Sequence, residues 1–285
     1  MLLAGIVAAI IFAPLAAVAV SAAGWHYPFP RIFDRTVMVS MLIVMLFAAR
    51  DLNLMPLLRR GFSHPARPSL ARAIRGFVVA MIAIAILFGL AFAVGGGGIG
   101  DRGAAAALIP KYFLSAIAIA FIEEAFFRAF LLGGMSNDFG DRVALVASAA
   151  IYAVAHLVRS PARFYVTGYT PTAGLMTLAH SVDQFSTPAI AIPTLIGLFL
   201  LGIVLGEAYI LTGSVYFSIG LHCGFVLGAK MWPKIILNRA AIPWWIAGGG
   251  SVPLIGGAAA WIIAIAIFAT LRQITGAQRS ILVTR

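Results

Sequence analysis

The chain has 285 residues, 62% of them hydrophobic and 10% charged, with a formal net charge of +11 at pH 7. So little polar surface cannot cover a water-soluble globule, which excludes that class and implies an integral membrane protein. The excess of base does not mark a nucleic-acid partner, because the basic residues flank apolar segments and form no stripe interleaved with aromatics.

A bilayer core is crossed by about 20 apolar helical residues, with a range of about 17 to 25. That rule places helices at approximately 3–23, 34–50, 74–96, 107–133, 143–158, 189–211, 214–231 and 252–271. The expectation is an all-α fold, a polytopic transmembrane bundle of about eight helices forming a single domain over residues 1–285. The first segment has a signal-like "AVAVSAAG" end, but no Lys or Arg precedes Arg31, so it is read as a retained helix kinked at Pro14.

Between the second and third segments, Arg50, Arg59, Arg60, Arg67, Arg72 and Arg75 mark a connection expected to face the cytoplasm. Orientation rests on this loop. "GGGGIGDRG", residues 95–103, lacks a phosphate-binding Lys-Ser/Thr ending and a preceding strand, so it is read as an interhelical loop. The stretch from Arg159 to Thr187 is read as a loop, with a lid or access element as the alternative.

The fourth segment contains "AFIEEAFFRAF", which holds two of the chain's three glutamates, Glu123 and Glu124, beside Arg128. An ionised side chain near a bilayer centre costs about 2.5–3.5 kcal/mol on insertion scales, so such residues mark pairing or function. On a helix, residues four apart share a face while neighbours diverge by roughly 100°. Glu124 is therefore expected to pair with Arg128, leaving Glu123 as the carboxylate able to take and return a proton. The alternative is a charged patch that snorkels to the interface.

In the fifth segment His156 follows Tyr152 by one turn, and in the seventh His222 lies between Gly220 and Gly224. Those glycines admit either another helix or a substrate backbone. Each histidine alone could be a packing residue. Together with the glutamates they form a set that either activates a water and meets an oxyanion, or binds a divalent metal such as zinc through two nitrogens and one carboxylate. The sequence has no HExxH helix, no GxSxG elbow and no Asp pair within the spans. The single cysteine, Cys223, adjoins His222, but neighbouring helical residues diverge, which argues against a thiolate pair.

These residues resemble the CAAX-prenyl and bacteriocin-processing (CPBP) intramembrane proteases, which include the Ras-converting enzymes. "EEAFFR" from Glu123 to Arg128 fits the family's EExxxR motif, and "YAVAH" from Tyr152 to His156 fits FxxxH with Tyr for Phe. "HCGFV" from His222 fits HxxxN/D except that Val226 stands where the amide or acid would be. The resemblance covers a core of about 107–231. It implies an endopeptidase in which Glu123 and His156 activate water, His222 helps bind the oxyanion, and Glu124 and Arg128 support the site. It also implies a membrane-associated or lipidated peptide substrate and a prokaryotic cytoplasmic membrane, and leaves a metal open.

Loss of one oxyanion donor costs about 10²–10³ in rate in other hydrolases. Val226 therefore leaves three outcomes open: a slow enzyme, a donor taken from the Cys223 backbone or Ser218, or a non-catalytic scaffold or immunity protein that keeps the fold. A transporter or proton relay is the rival outside the family, with Glu207 as a further station on a polar route.

Overall fold

The computed structural model describes residues 2–51, 53, 55–63, 65–96, 102–158, 160, 164–166, 168–249 and 254–283. Residues 97–101 of the glycine-rich connection and the start of the eighth predicted segment, 252–253, lie outside them. In chain order the helices are α1 (Leu2–Ala22), α2 (Phe29–Asp51), α3 (Met55–Phe62), α4 (Ala66–Ala93), α5 (Arg102–Glu124) and α6 (Gly133–Phe139). They continue as α7 (Asp141–Leu157), α8 (Ala173–Ala179), α9 (Pro188–Thr212), α10 (Tyr216–Ile235), α11 (Trp244–Ala247) and α12 (Ala258–Val283). The all-α polytopic expectation holds.

Seven of the predicted segments overlap one of these helices each, and the fourth, 107–133, runs over α5, a π-helical stretch (Ala125–Leu132) and the start of α6. By length and composition, Leu3–Ala22, Phe29–Asp51, Ala66–Ala93, Ala105–Phe139 and Pro188–Thr212 are able to cross a bilayer. The apolar part of α12, Ala258–Ile274, is shorter, as is α7 at 17 residues. Two stretches read as loops contain helix. The arginine connection folds into α3 and the first turns of α4, because arginine disfavours hydrocarbon but not helix. The stretch after Arg159 contains α8 and a 3₁₀ turn, His180–Ser186.

The chain forms two compact units, Met1–Met55 with Val154–Ala191, and Pro56–Ala153 with Ile192–Arg285. In the first, Ala9, Ala13 and Ala17 recur every four residues on α1 and make a buried small-residue face against Phe29 and Phe33 of α2 and Ala173 of α8. Phe29 stacks on Phe164 at 5.6 Å, and its N–H donates to the Phe164 carbonyl.

In the second unit, α10 lies against α4 with almost no side chain between them. A Cβ on Gly76 would strike the Phe217 carbonyl oxygen, and one on Gly220 would strike the Ala73 carbonyl oxygen. Gly224 and Gly228 continue the contact one and two turns on, against Ala80 and Ile84. Small residues allow this approach in lipid, where packing rather than water exclusion drives helix association. α3 is fastened to the start of α10: the Val215 N–H donates to the Gly61 carbonyl at 3.1 Å, and the Tyr216 hydroxyl to the Phe62 carbonyl at 3.0 Å. Farther along, Arg272 of α12 holds the buried Glu207 of α9 through Nε–Oε1 at 2.8 Å and Nη2–Oε2 at 3.4 Å.

Candidate active site

Glu123 and Glu124 are the last residues of α5, and the chain then winds through a π-helical segment, Ala125–Leu132, before α6. A regular α-helix was expected here. The seven consecutive residues Glu124–Phe130 are all buried, so this stretch is enclosed on every side instead of showing a lipid-facing stripe. Wider turns of this type occur frequently at functional sites.

The expected pair across one turn is present, with Arg128 Nε 3.4 Å from Glu124 Oε2 and both side chains essentially inaccessible. Its geometry is that of an ion pair and not of a hydrogen bond. The other end of the guanidinium donates from Nη2 to the Gly202 carbonyl of α9 at 3.4 Å, and its carbon stands 4.8 Å over the Tyr152 ring. Gly202 makes this possible by packing directly on Ala149 of α7.

His222 joins both glutamates. Its Nδ1 lies 2.9 Å from Glu124 Oε1, and its Nε2 lies 3.6 Å from Glu123 Oε2. A donating Nδ1–H fixes the ring plane and leaves Nε2 directed at Glu123. Gly220 and Gly224, on either side of His222, face α4, so of the two partners that the glycines admitted, the structure has the helix. Side-chain exposure separates the members: Glu124 0%, His222 3% and Glu123 16%. Glu123 is thus the carboxylate of the cluster that a water or substrate can reach.

Tyr152 is fully enclosed between Arg128, Phe127, whose ring it meets edge-on at 5.1 Å, and His222, whose ring centre is 6.2 Å away. Ser218, one turn before His222, is buried against the Glu124 carboxylate, and its hydroxyl donates to the Val215 carbonyl at 2.9 Å. Val226 packs with the apolar cluster of Ala116, Ala120, Cys223 and Leu227. Cys223 is likewise buried there, apart from any base of its own.

The second unit therefore brings together Glu123, Glu124, Arg128 and His222. His156 occupies the last turn of α7, half-buried, and belongs to the first unit. The bond from His222 to Glu124 spans 98 positions and had no local signature in the sequence. The same is true of the Gly202 carbonyl, for which only the glycine hinted at a close approach. Among the described residues, no group of three or more His, Cys, Asp or Glu side chains is placed to hold a metal ion.

Residues 104–228 match the family model described as Type II CAAX prenyl endopeptidase Rce1-like. This bears out the resemblance drawn from the three motifs, all of which lie inside the matched stretch. No curated protein and no solved structure matches the chain.

Proposed function

We propose that this protein is an intramembrane endopeptidase of the CPBP type that cleaves a membrane-associated peptide by an activated water. The observation that carries the reading is the convergence of Glu123, the accessible carboxylate, with a His222 ring held by Glu124, inside a stretch that matches a protease family.

Glu123 takes a proton as the water oxygen bonds to the scissile carbonyl carbon, and the carbonyl π pair moves onto its oxygen. When that pair re-forms the C=O, the C–N bond breaks, and the proton passes from Glu123 to the leaving nitrogen. The products are one carboxyl end and one amine end. The family resemblance, through the second motif, gives His156 a share in activating the water. His222, with Nδ1 bonded to Glu124, presents Nε2–H to the oxyanion in its protonated form. Glu124 and Arg128 orient that ring and do not touch the peptide.

A lipidated or transmembrane peptide is the substrate class favoured by a site on apolar helices. The scaffold reading has one observation in its favour, the placement of Val226 among apolar side chains. The transporter reading is disfavoured, because Glu207 is tied to Arg272.

His156→Ala and His222→Ala separate these readings. Each should abolish cleavage of a peptide reconstituted with the protein in vesicles, while elution and thermal midpoint in detergent stay at wild-type values. Folded variants that cleave at the wild-type rate would sink the mechanism, and an unfolded variant would make that histidine structural.

A further inference from the structure

Helix α4 has two distinct faces. Gly76, Ala80, Ala83, Ile84, Leu87 and Ala91 are buried, and Gly76 packs on the backbone of α10. The opposite face carries Leu70, Ile74, Val78, Ile82 and Ile86, one every four residues and all exposed. A row of large apolar side chains left open on a helix of membrane-crossing length is covered by acyl chains.

Cationic side chains border this row at its N-terminal end. Arg67, Ala71 and Arg75 follow at four-residue spacing and are all exposed, so two guanidinium groups flank one methyl group beside Leu70 and Ile74. The small Ala71 leaves a notch between them. The two arginines stand about 12 Å apart along the helix axis. The Cα–Cβ bond of Arg75 leans toward the N-terminal end, so its long side chain can reach back to the notch.

Among the described residues, neither Arg67 nor Arg75 enters an ion pair. Arg72 differs: it is half-buried, and its Nη1 donates to the Ser214 hydroxyl at 3.2 Å. No Asp or Glu occurs between Asp51 and Asp101, and Arg59 and Arg60 of α3 are also exposed, so neither helix supplies an acid to neutralise the notch. A guanidinium carried into such a helix is unfavourable unless an anion meets it.

We infer that the notch at Ala71 binds one anionic phospholipid, its phosphate held between Arg67 and Arg75 and an acyl chain lying along Ile74, Val78, Ile82 and Ile86. Guanidinium groups match phosphate oxygens in geometry and charge. The apolar row adds a contact that a free phosphate cannot use. A zwitterionic lipid brings its own cation to the notch, so a net negative headgroup is selected. The inference does not depend on the endopeptidase reading, because His222 lies on α10, which packs on the other face of α4.

In the experiment the protein, delipidated in a neutral detergent, is titrated with dioleoyl phosphatidylglycerol or dioleoyl phosphatidylcholine. Native mass spectrometry reads the affinity for the first bound lipid. Wild type should prefer phosphatidylglycerol by about tenfold or more, and Arg67→Gln and Arg75→Gln should each weaken its binding about fivefold without changing phosphatidylcholine binding. Ala71→Leu keeps both charges and fills the notch, and should weaken phosphatidylglycerol by a comparable factor. Arg142→Gln, exposed at the start of α7, should leave it unchanged. Glycerol phosphate, which has no acyl chain, should not displace the lipid at equal concentration. Equal affinity of wild type for the two lipids would overturn the inference, as would wild-type binding by Ala71→Leu. A loss in Arg142→Gln as large as in Arg67→Gln would reduce the effect to surface charge and overturn it too. Displacement by glycerol phosphate would make the notch a site for free phosphate, again against the inference.

Discussion

Gly220 lies two residues before His222, on the face of α10 pressed against α4. The Cβ of Gly220→Ala would strike the Ala73 carbonyl oxygen and stand 2.7 Å from the Ala73 carbonyl carbon and 2.9 Å from the Phe77 nitrogen, where ordinary contact begins at 3.4 Å. All three are backbone atoms of α4 and cannot swing aside, so the helices must part by about 1 Å or more. Overpacking of this kind costs about 1–3 kcal/mol. The same shift carries His222 away from Glu124, which it now meets at 2.9 Å. A misplacement of about 1 Å costs up to about 100-fold in rate. Thermal unfolding in detergent and cleavage in vesicles should both record the loss. Gly134→Ala is the control: it lies in a helix and its Cβ would meet nothing within 4 Å, so it should leave the rate at the wild-type value and not lower the midpoint. A Gly220→Ala protein matching wild type in midpoint and rate would refute the claim that this glycine contact sets the position of His222.

Arg128→Met leaves the buried Glu124 without its cation and should cost about 3–5 kcal/mol, with Glu124→Gln in the same chain recovering part of it, as read by thermal unfolding. The α9 to α12 pair should be asymmetric. Arg272→Met strands the buried Glu207 and should cost about 1–3 kcal/mol, whereas Glu207→Gln releases Arg272, already 55% exposed, and should cost less in the same assay. Metal content should be equal in wild type, Glu123→Ala and His222→Ala proteins, and a chelator should leave cleavage unchanged. Cleavage abolished by the chelator and restored by zinc would contradict the direct Glu123 route.

The helices were legible because lipid demands long apolar runs and tolerates few charges, so the residues that violate the rule stood out at once. Glu123, Glu124, Arg128 and His222 were found this way, and the Glu124 to Arg128 pair followed from four-residue spacing alone. What remained hidden depends on atoms far apart in the chain. Nothing near His222 specifies Glu124 as its partner, and nothing near Glu207 specifies Arg272, 65 positions away. Gly220 and Gly224 announced a close approach but not what approaches. The π-helical turns escaped notice because a slightly wider turn leaves side chains four apart on nearly the same face. α3 escaped because at eight residues, two of them arginine, it carries no membrane signal.

The central claim is that Glu123 is the base of a water-dependent peptide cleavage. Its most direct measurement is the rate at which wild type and Glu123→Ala, each folded and reconstituted at equal density, cleave one membrane-associated peptide. The expected result is cleavage by the wild type and none above the uncatalysed background by Glu123→Ala. Equal cleavage by the two proteins would contradict the claim.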